Sequence, residues 1–157
     1  MLRISKLTDY AVVILGQMAR ETASVHTAAE LADKTGVAVP TVSKILKCLA
    51  KTHIVTSTRG SRGGYSLARA AEQTSVAAVI YAMEGPIALT ECEGERGGCE
   101  QSSSCHARSS WDVINRAIRT ALDSVTLSDM VKPMTGGMPS QEVSIPVAVL
   151  HKPMKSN

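Results

Sequence analysis

The sequence predicts a mainly α-helical fold carrying one small β-hairpin, followed by a long C-terminal helix. Three observations predict it. Helical apolar spacing recurs on both sides of a tight turn at Gly36. A β-branched run at Ile54-Val55-Thr56-Ser57-Thr58 is joined by a glycine-rich turn to a short return strand, Tyr65-Ser66-Leu67. Residues 108–125 then carry one broad apolar face.

In chain order, Leu7, Tyr10, Ala11, Val12, Ile14, Leu15 and Met18 predict a first helix over 7–20 that is buried on much of its surface. Ser5 or Thr8 is its candidate cap. Thr27 and Glu30 have the spacing of a capping box, in which each side chain bonds the other residue's backbone N–H; a short helix starts there. Gly36 stops it. Val37-Ala38-Val39 forms a turn, and Pro40 suits the first turn of a new helix running to Lys51. Its Val42, Ile45, Leu46 and Leu49 follow the spacing of one helix face, while Thr41, Ser43, Lys44, Lys47 and Lys51 occupy the other. The hairpin comes next. Ser75 to Glu84 reads as a short helix ended by Gly85-Pro86. In 108–125 the apolar face is built from Trp111, Val113, Ile114, Ala117, Ile118, Ala121, Leu122 and Val125. From Ser128 periodicity is lost, and Pro133, Gly136, Gly137, Pro139, Pro146 and Pro153 predict a mobile tail, with 143–150 a candidate short strand.

Composition narrows the class. Phe is absent and aromatics make up 3% of 157 residues, so the core must be aliphatic. No apolar run approaches the roughly 18 residues of a membrane span, and no secretory leader pattern follows Arg3 and Lys6. A cytoplasmic protein is expected, in which four cysteines serve as ligands or free thiols rather than disulfides. The net charge of +3 is unevenly spread: residues 1–70 hold ten Lys and Arg against four Asp and Glu, while the remainder is acidic. A basic first half predicts a polyanionic partner.

Helix, tight turn, second helix with a basic face, then a hairpin is the order of a winged helix-turn-helix. A helix fits the DNA major groove, and residues near its N-terminus reach base edges. Thr41, Ser43 and Lys44 lie there, and Lys47 is better placed for phosphate. The hairpin tip, with Arg59, Gly60 and Arg62, and Tyr65 behind it, suits close approach to the backbone or minor groove. Double-stranded DNA is therefore the expected partner.

Cys92, Cys99 and Cys105 sit in an acidic, glycine-rich stretch that is poorly suited to a core. Soft thiolates in such surroundings are candidate metal or cluster ligands. Their spacing is wider than the short pairs typical of zinc sites, which favours a polynuclear iron–sulfur cluster, with zinc as the alternative metal. Cys48 lies beside Ile45 and Leu49 and is expected to be a partly buried thiol, and His26, His53 and His151 are expected at the surface. A cysteine next to His106 suggests nucleophilic chemistry at first glance. However, the sequence offers no substrate pocket, oxyanion device or orienting third residue, so an enzyme acting on a small-molecule substrate is not expected.

Four pieces resemble the Rrf-type winged-helix transcription regulators of bacteria, which include IscR-type and NsrR-type members. These are Leu7-Thr8-Asp9-Tyr10-Ala11; Ala29-Glu30-Leu31-Ala32 leading to Gly36-Val37; Arg59-Gly60-Ser61-Arg62-Gly63-Gly64-Tyr65-Ser66-Leu67; and the cysteine trio. Pro40-Thr41-Val42-Ser43-Lys44 and the wing wording look most similar to regulators of the SUF assembly operon. The resemblance implies a sequence-specific, cluster-sensing repressor of iron–sulfur assembly genes that works as a homodimer paired through the 108–127 helix. A nitric-oxide or redox sensor on the same scaffold is the alternative, and a zinc-stabilised adaptor a further one. It also implies that Arg59 enters the minor groove. IscR-type relatives carry an acidic residue where Ser43 stands, so a different operator is implied. A 2Fe-2S cluster is favoured over 4Fe-4S. The fourth ligand is open: IscR-type relatives place a His where this chain has Arg108, leaving His106, while NsrR-type relatives use an N-terminal Asp, matched here by Asp9. The expected organisation is a DNA-binding unit at 1–84, a cluster segment at 85–107, a dimerisation helix at 108–127 and a tail at 128–157.

Overall fold

The computed structural model describes residues 3–21, 25–60, 62–89 and 108–132, with side chains of the last stretch described from residue 110. Elements follow in the order α1 (Lys6–Arg20), α2 (Ala28–Thr35), α3 (Val39–Lys51), β1 (Val55–Thr58), β2 (Gly64–Leu67), a single 3₁₀ turn (Ala71–Gln73), α4 (Val76–Glu84), α5 (Arg108–Asp123) and α6 (Leu127–Val131). The predicted mainly helical class with one antiparallel hairpin is what the chain forms.

Local chemistry explains the boundaries. Of the two candidate caps of α1, Ser5 takes the role: its hydroxyl accepts from the Thr8 amide at 3.3 Å. Thr8 is instead fully buried. The capping box of α2 is complete, with Glu30 N–H donating to Thr27 Oγ1 at 3.2 Å and Thr27 N–H donating to Glu30 Oε2 at 2.8 Å. Gly36 closes α2 at φ +71°, a left-handed conformation that an L side chain resists. Pro40 sits in the first turn of α3, where its missing N–H costs no helical bond. At the far end His53 takes φ +56° and turns the chain toward β1.

The core is aliphatic, as the composition requires. Ile14 and Leu15 of α1, Leu31 of α2, and Val42, Ile45, Leu46 and Leu49 of α3 are fully buried, and Val55 and Val79 close it from β1 and α4. The i, i+3, i+4, i+7 spacing read from α3 is thus its buried face.

Two features depart from expectation. His26, expected at the surface, is 2% exposed. It pairs with the wing as a one-residue third strand, its N–H donating to Tyr65 O and its carbonyl accepting from Tyr65 N–H, both at 2.8 Å. A lone bridging residue has no strand periodicity, so nothing in the sequence marked it. The second is α6, which continues past the point where periodicity fades at Ser128. It opens with its own capping box, Thr126 with Asp129, and packs along α1. Hydrogen bonds from Val76 N–H to Val125 O (2.8 Å) and from Leu127 N–H to Thr74 O (2.9 Å) tie this segment to the start of α4. Residues 133–157, including the expected tail and the strand at 143–150, lie outside the described residues.

Leu127 is fully buried in the main core although it lies near the edge of the readable pattern. Leu127→Ala is expected to destabilise the protein by about 2–5 kcal/mol, the range for emptying a packed leucine site. Urea unfolding would show this as a lower midpoint with an unchanged slope.

Candidate nucleic-acid interface

The outer face of α3 is a lysine stripe set opposite the buried one. Pro40, Lys44, Lys47 and Lys51 are exposed, and Thr41 and Ser43 flank them half-buried. At 100° per residue the exposed lysines diverge from the Val42–Leu49 face by about half a turn, so burying one face fixes the direction of the other. Among the described residues none of these lysines forms an ion pair. Their charge remains available to a polyanion.

The hairpin projects two further cations. β1 and β2 pair antiparallel from Val55 with Leu67 to Thr58 with Gly64, which leaves Arg59, Gly60 and Arg62 at the exposed tip. Neither arginine is ion-paired among the described residues. Two glycines hold this shape for reasons of space. A Cβ on Gly63 would strike backbone atoms of Thr58 and Gly60, and one on Gly64 would come within 2.5 Å of His26 O. Tyr65 is half-buried against the core, so it braces the wing base while its backbone bridges His26. Base-edge candidates on α3 and backbone-contact candidates on the wing are thus carried by neighbouring elements, joined through Ile54, whose N–H bonds Leu49 O at 3.0 Å.

Behind this surface, α4 couples the recognition helix to the rest of the chain. Cys48 of α3, half-buried as expected, donates from Sγ to Ala82 O of α4 at 3.1 Å. Two residues on, Glu84 Oε1 accepts from Ser5 N–H (2.8 Å) and Thr8 Oγ1–H (2.5 Å), joining the last turn of α4 to the first turn of α1. Sequence reading missed Glu84, because no local pattern marks a carboxylate that caps a helix more than seventy residues away.

The hydrogen bond from Thr8, then that from Ser5, hold the Glu84 carboxyl below its ordinary value of 4.5. A lowered folded-state pKa means that the stabilisation is complete above the ordinary value and is lost as pH falls through the folded one. Glu84→Gln is therefore expected to flatten the acid limb of a stability–pH profile below about pH 4.5, with little change in slope above it. Equal acid limbs in the two proteins would refute this.

Cys92, Cys99, Cys105 and His106 lie outside the described residues. Among the described residues no three metal-binding side chains converge. Two described side chains bear on whether this stretch could hold a metal group. Asp9, the other candidate ligand, is exposed in the first turn of α1, and its carboxylate has no partner among the described residues. Asn115 of α5 is 1% exposed; its Oδ1 accepts from Leu89 N–H at 2.9 Å, whereas its Nδ2 has no partner among the described residues. A buried amide donor without an acceptor is costly, and a thiolate, sulfide or loop carbonyl would satisfy it. Its sequence signal is a polar residue inside the apolar face between Trp111 and Leu122. The donor set of three cysteines with Asp9 or His106 fits an iron–sulfur cluster by ligand type.

Comparison with known proteins agrees with this architecture. Residues 4–133 match the model of the Rrf2 family, described as iron-dependent transcriptional regulators. The protein rrf2 of Nitratidesulfovibrio vulgaris is 34% identical over 103 residues, covering 66% of this chain and 69% of that protein. The HTH-type transcriptional regulator IscR of Sodalis glossinidius is 27% identical over 134 residues, covering 74% of this chain and 81% of its own. Among solved structures, CymR, the global cysteine regulator of B. subtilis, superposes with a TM-score of 0.65 at 26% identity, covering 83% of this chain and 97% of CymR. T. potens IscR superposes at 0.63 and 26% identity, covering 87% and 94%. These relatives are regulators and not enzymes. With a winged helix-turn-helix, a free cationic face on α3 and wing, and a family match running from α1 through α6, the chain belongs to the Rrf2 family of DNA-binding transcriptional regulators.

Proposed function

We propose that this regulator senses an iron–sulfur cluster, 2Fe-2S in preference to 4Fe-4S, and represses iron–sulfur assembly genes as a homodimer. The observation that carries the reading is the double grip of α4: Ala82 O holds Cys48 of the recognition helix while Glu84 holds the start of α1. The chain leaving α4 runs directly into the cysteine stretch. A change in that stretch is then felt by α3 and by the segment bearing Asp9. Residues 85–107 form the cluster segment in this reading, with Cys92, Cys99 and Cys105 as ligands. A bound cluster supplies sensitivity to iron supply and oxidants, and its gain or loss shifts the population between DNA-competent and incompetent dimers.

Pairing is supported by α5, whose Trp111, Val113 and Ile114 are each about two-fifths exposed. Three large apolar side chains on one short stretch are poorly suited to water. A twofold dimer places two α3 helices about 34–36 Å apart or farther by whole DNA turns.

The experiment is anaerobic purification, selection of duplexes from a random library, and affinity titration against salt, with and without iron chelation. The selected operator is expected to bind tightly and to be released on iron removal. Arg59→Ala is expected to lower the slope of log affinity against log salt by about one, the weight of one phosphate contact. A colourless, fully metallated protein would point to zinc and sink the cluster reading. The Asp9 carboxylate, without a partner among the described residues, favours the second reading, nitric-oxide sensing, in which nitric oxide and not iron withdrawal releases the DNA.

A further inference from the structure

The recognition helix starts on apolar ground. Ala38, Val39 and Pro40 are all exposed, and none carries a polar side-chain atom. Val39, the first residue of α3, is 46% exposed and is not among the hydrophobic side chains packed against the core. Ala38 offers no side-chain cap, where serine, threonine or aspartate would ordinarily satisfy the free amides. The side chains with hydrogen-bonding capacity begin only at Thr41, and the charged ones at Lys44.

This first turn is the part of a helix-turn-helix that reaches base edges. A side chain without donor or acceptor has little to distinguish there. The major-groove edges of guanine, cytosine and adenine present hydrogen-bonding groups, and thymine alone adds an apolar feature, its C5-methyl. A valine against a G·C edge would desolvate polar groups without pairing them, which is unfavourable. Against thymine it removes a methyl group and its own isopropyl group from water together. We infer that Val39 is a specificity-determining residue that reads a thymine through its C5-methyl, with Ala38 and Pro40 keeping the surrounding contact apolar. The same exposure would also suit a protein partner, and the test separates the two.

The probe is the duplex selected by the full-length protein, remade with each thymine replaced singly by deoxyuridine, which lacks only the methyl. At one thymine the replacement is expected to weaken binding about fourfold, the weight of one buried methyl group. Val39→Ala, at an exposed position where alanine is the better helix former, is expected to bind the thymine and uracil forms of that position equally. Its dependence on salt should stay as in the parent protein. Val39→Thr, which keeps one methyl, should retain part of the discrimination. Uracil tolerated at every position, a selected site with no shared thymine, or full methyl sensitivity persisting in Val39→Ala would each overturn the assignment and leave a protein partner as the reason for the exposed valine.

Discussion

Replacing Gly64 by alanine is expected to detach the wing from the helical body and to weaken operator binding by more than tenfold. The added Cβ would lie 2.5 Å from His26 O, 2.8 Å from Val25 Cγ1 and 2.9 Å from the His26 carbonyl carbon. Two of these atoms are backbone, so no rotamer change relieves the clash. The strand must move, and it takes with it the paired bonds between His26 and Tyr65. His26 is 2% exposed, so its amide and carbonyl would lose partners away from water. Two lost buried bonds at about 1–2 kcal/mol each make a destabilisation of about 2–4 kcal/mol. The helices do not depend on that bridge. Circular dichroism should therefore report near-native helix content with a lowered melting temperature, and affinity should fall if, as proposed, Arg59 and Arg62 contact the DNA backbone beside the recognition helix. Arg59→Ala is the contrast: it loses one contact and one unit of salt slope while melting as the parent does. A Gly64→Ala protein with parental melting and affinity would show that the bridge does not orient the wing.

What could be read from the sequence follows from the range of the interactions involved. The Thr27–Glu30 capping box, the left-handed Gly36 and the apolar spacing of α3 act within about one turn, and each was visible as a local pattern. The lysine stripe followed automatically, because a helix that buries one face must expose the other. Interactions across the fold left weaker traces. Ser5 outcompeted Thr8 as cap because Glu84 draws Thr8 inward, a contact set by tertiary packing. His26 resembled a surface histidine until β2 supplied a partner for its backbone. Asn115 stands among the apolar residues of the 108–125 face, and its role emerges only when Leu89 N–H donates to its Oδ1 across the fold. The exposure of the α3 lysines and wing arginines was legible because charge and helix phase define it. A fourth ligand for the proposed cluster was not, since ligand choice depends on how distant segments meet.

The cysteine substitutions should have the largest effect of all. Cys92→Ala, Cys99→Ala and Cys105→Ala are each expected to remove the visible absorption of anaerobically purified protein and to abolish the response of operator affinity to iron, because three thiolates leave no spare ligand. Asp9→Ala and His106→Ala then divide the two sensor types. Asp9 lies one residue from Thr8, which Glu84 fixes, so its backbone is held by a link to the same helix that leads into the cysteine stretch. As a helix-start carboxylate alone, Asp9 is worth only about 0.3–1 kcal/mol, and its loss would shift melting slightly without touching the spectrum. As a ligand, its replacement should alter the Mössbauer parameters of the iron and make the cluster easier to lose. Altered spectra for Asp9→Ala with parental spectra for His106→Ala are the pattern the nitric-oxide reading requires. The iron-sensing reading expects the reverse, with the ligand at the neighbour of Cys105 and all protein ligands within one stretch of sequence. Glu84→Gln adds an independent check: if the Glu84 link positions Asp9, that variant should also shift the spectrum, though it alters no candidate ligand.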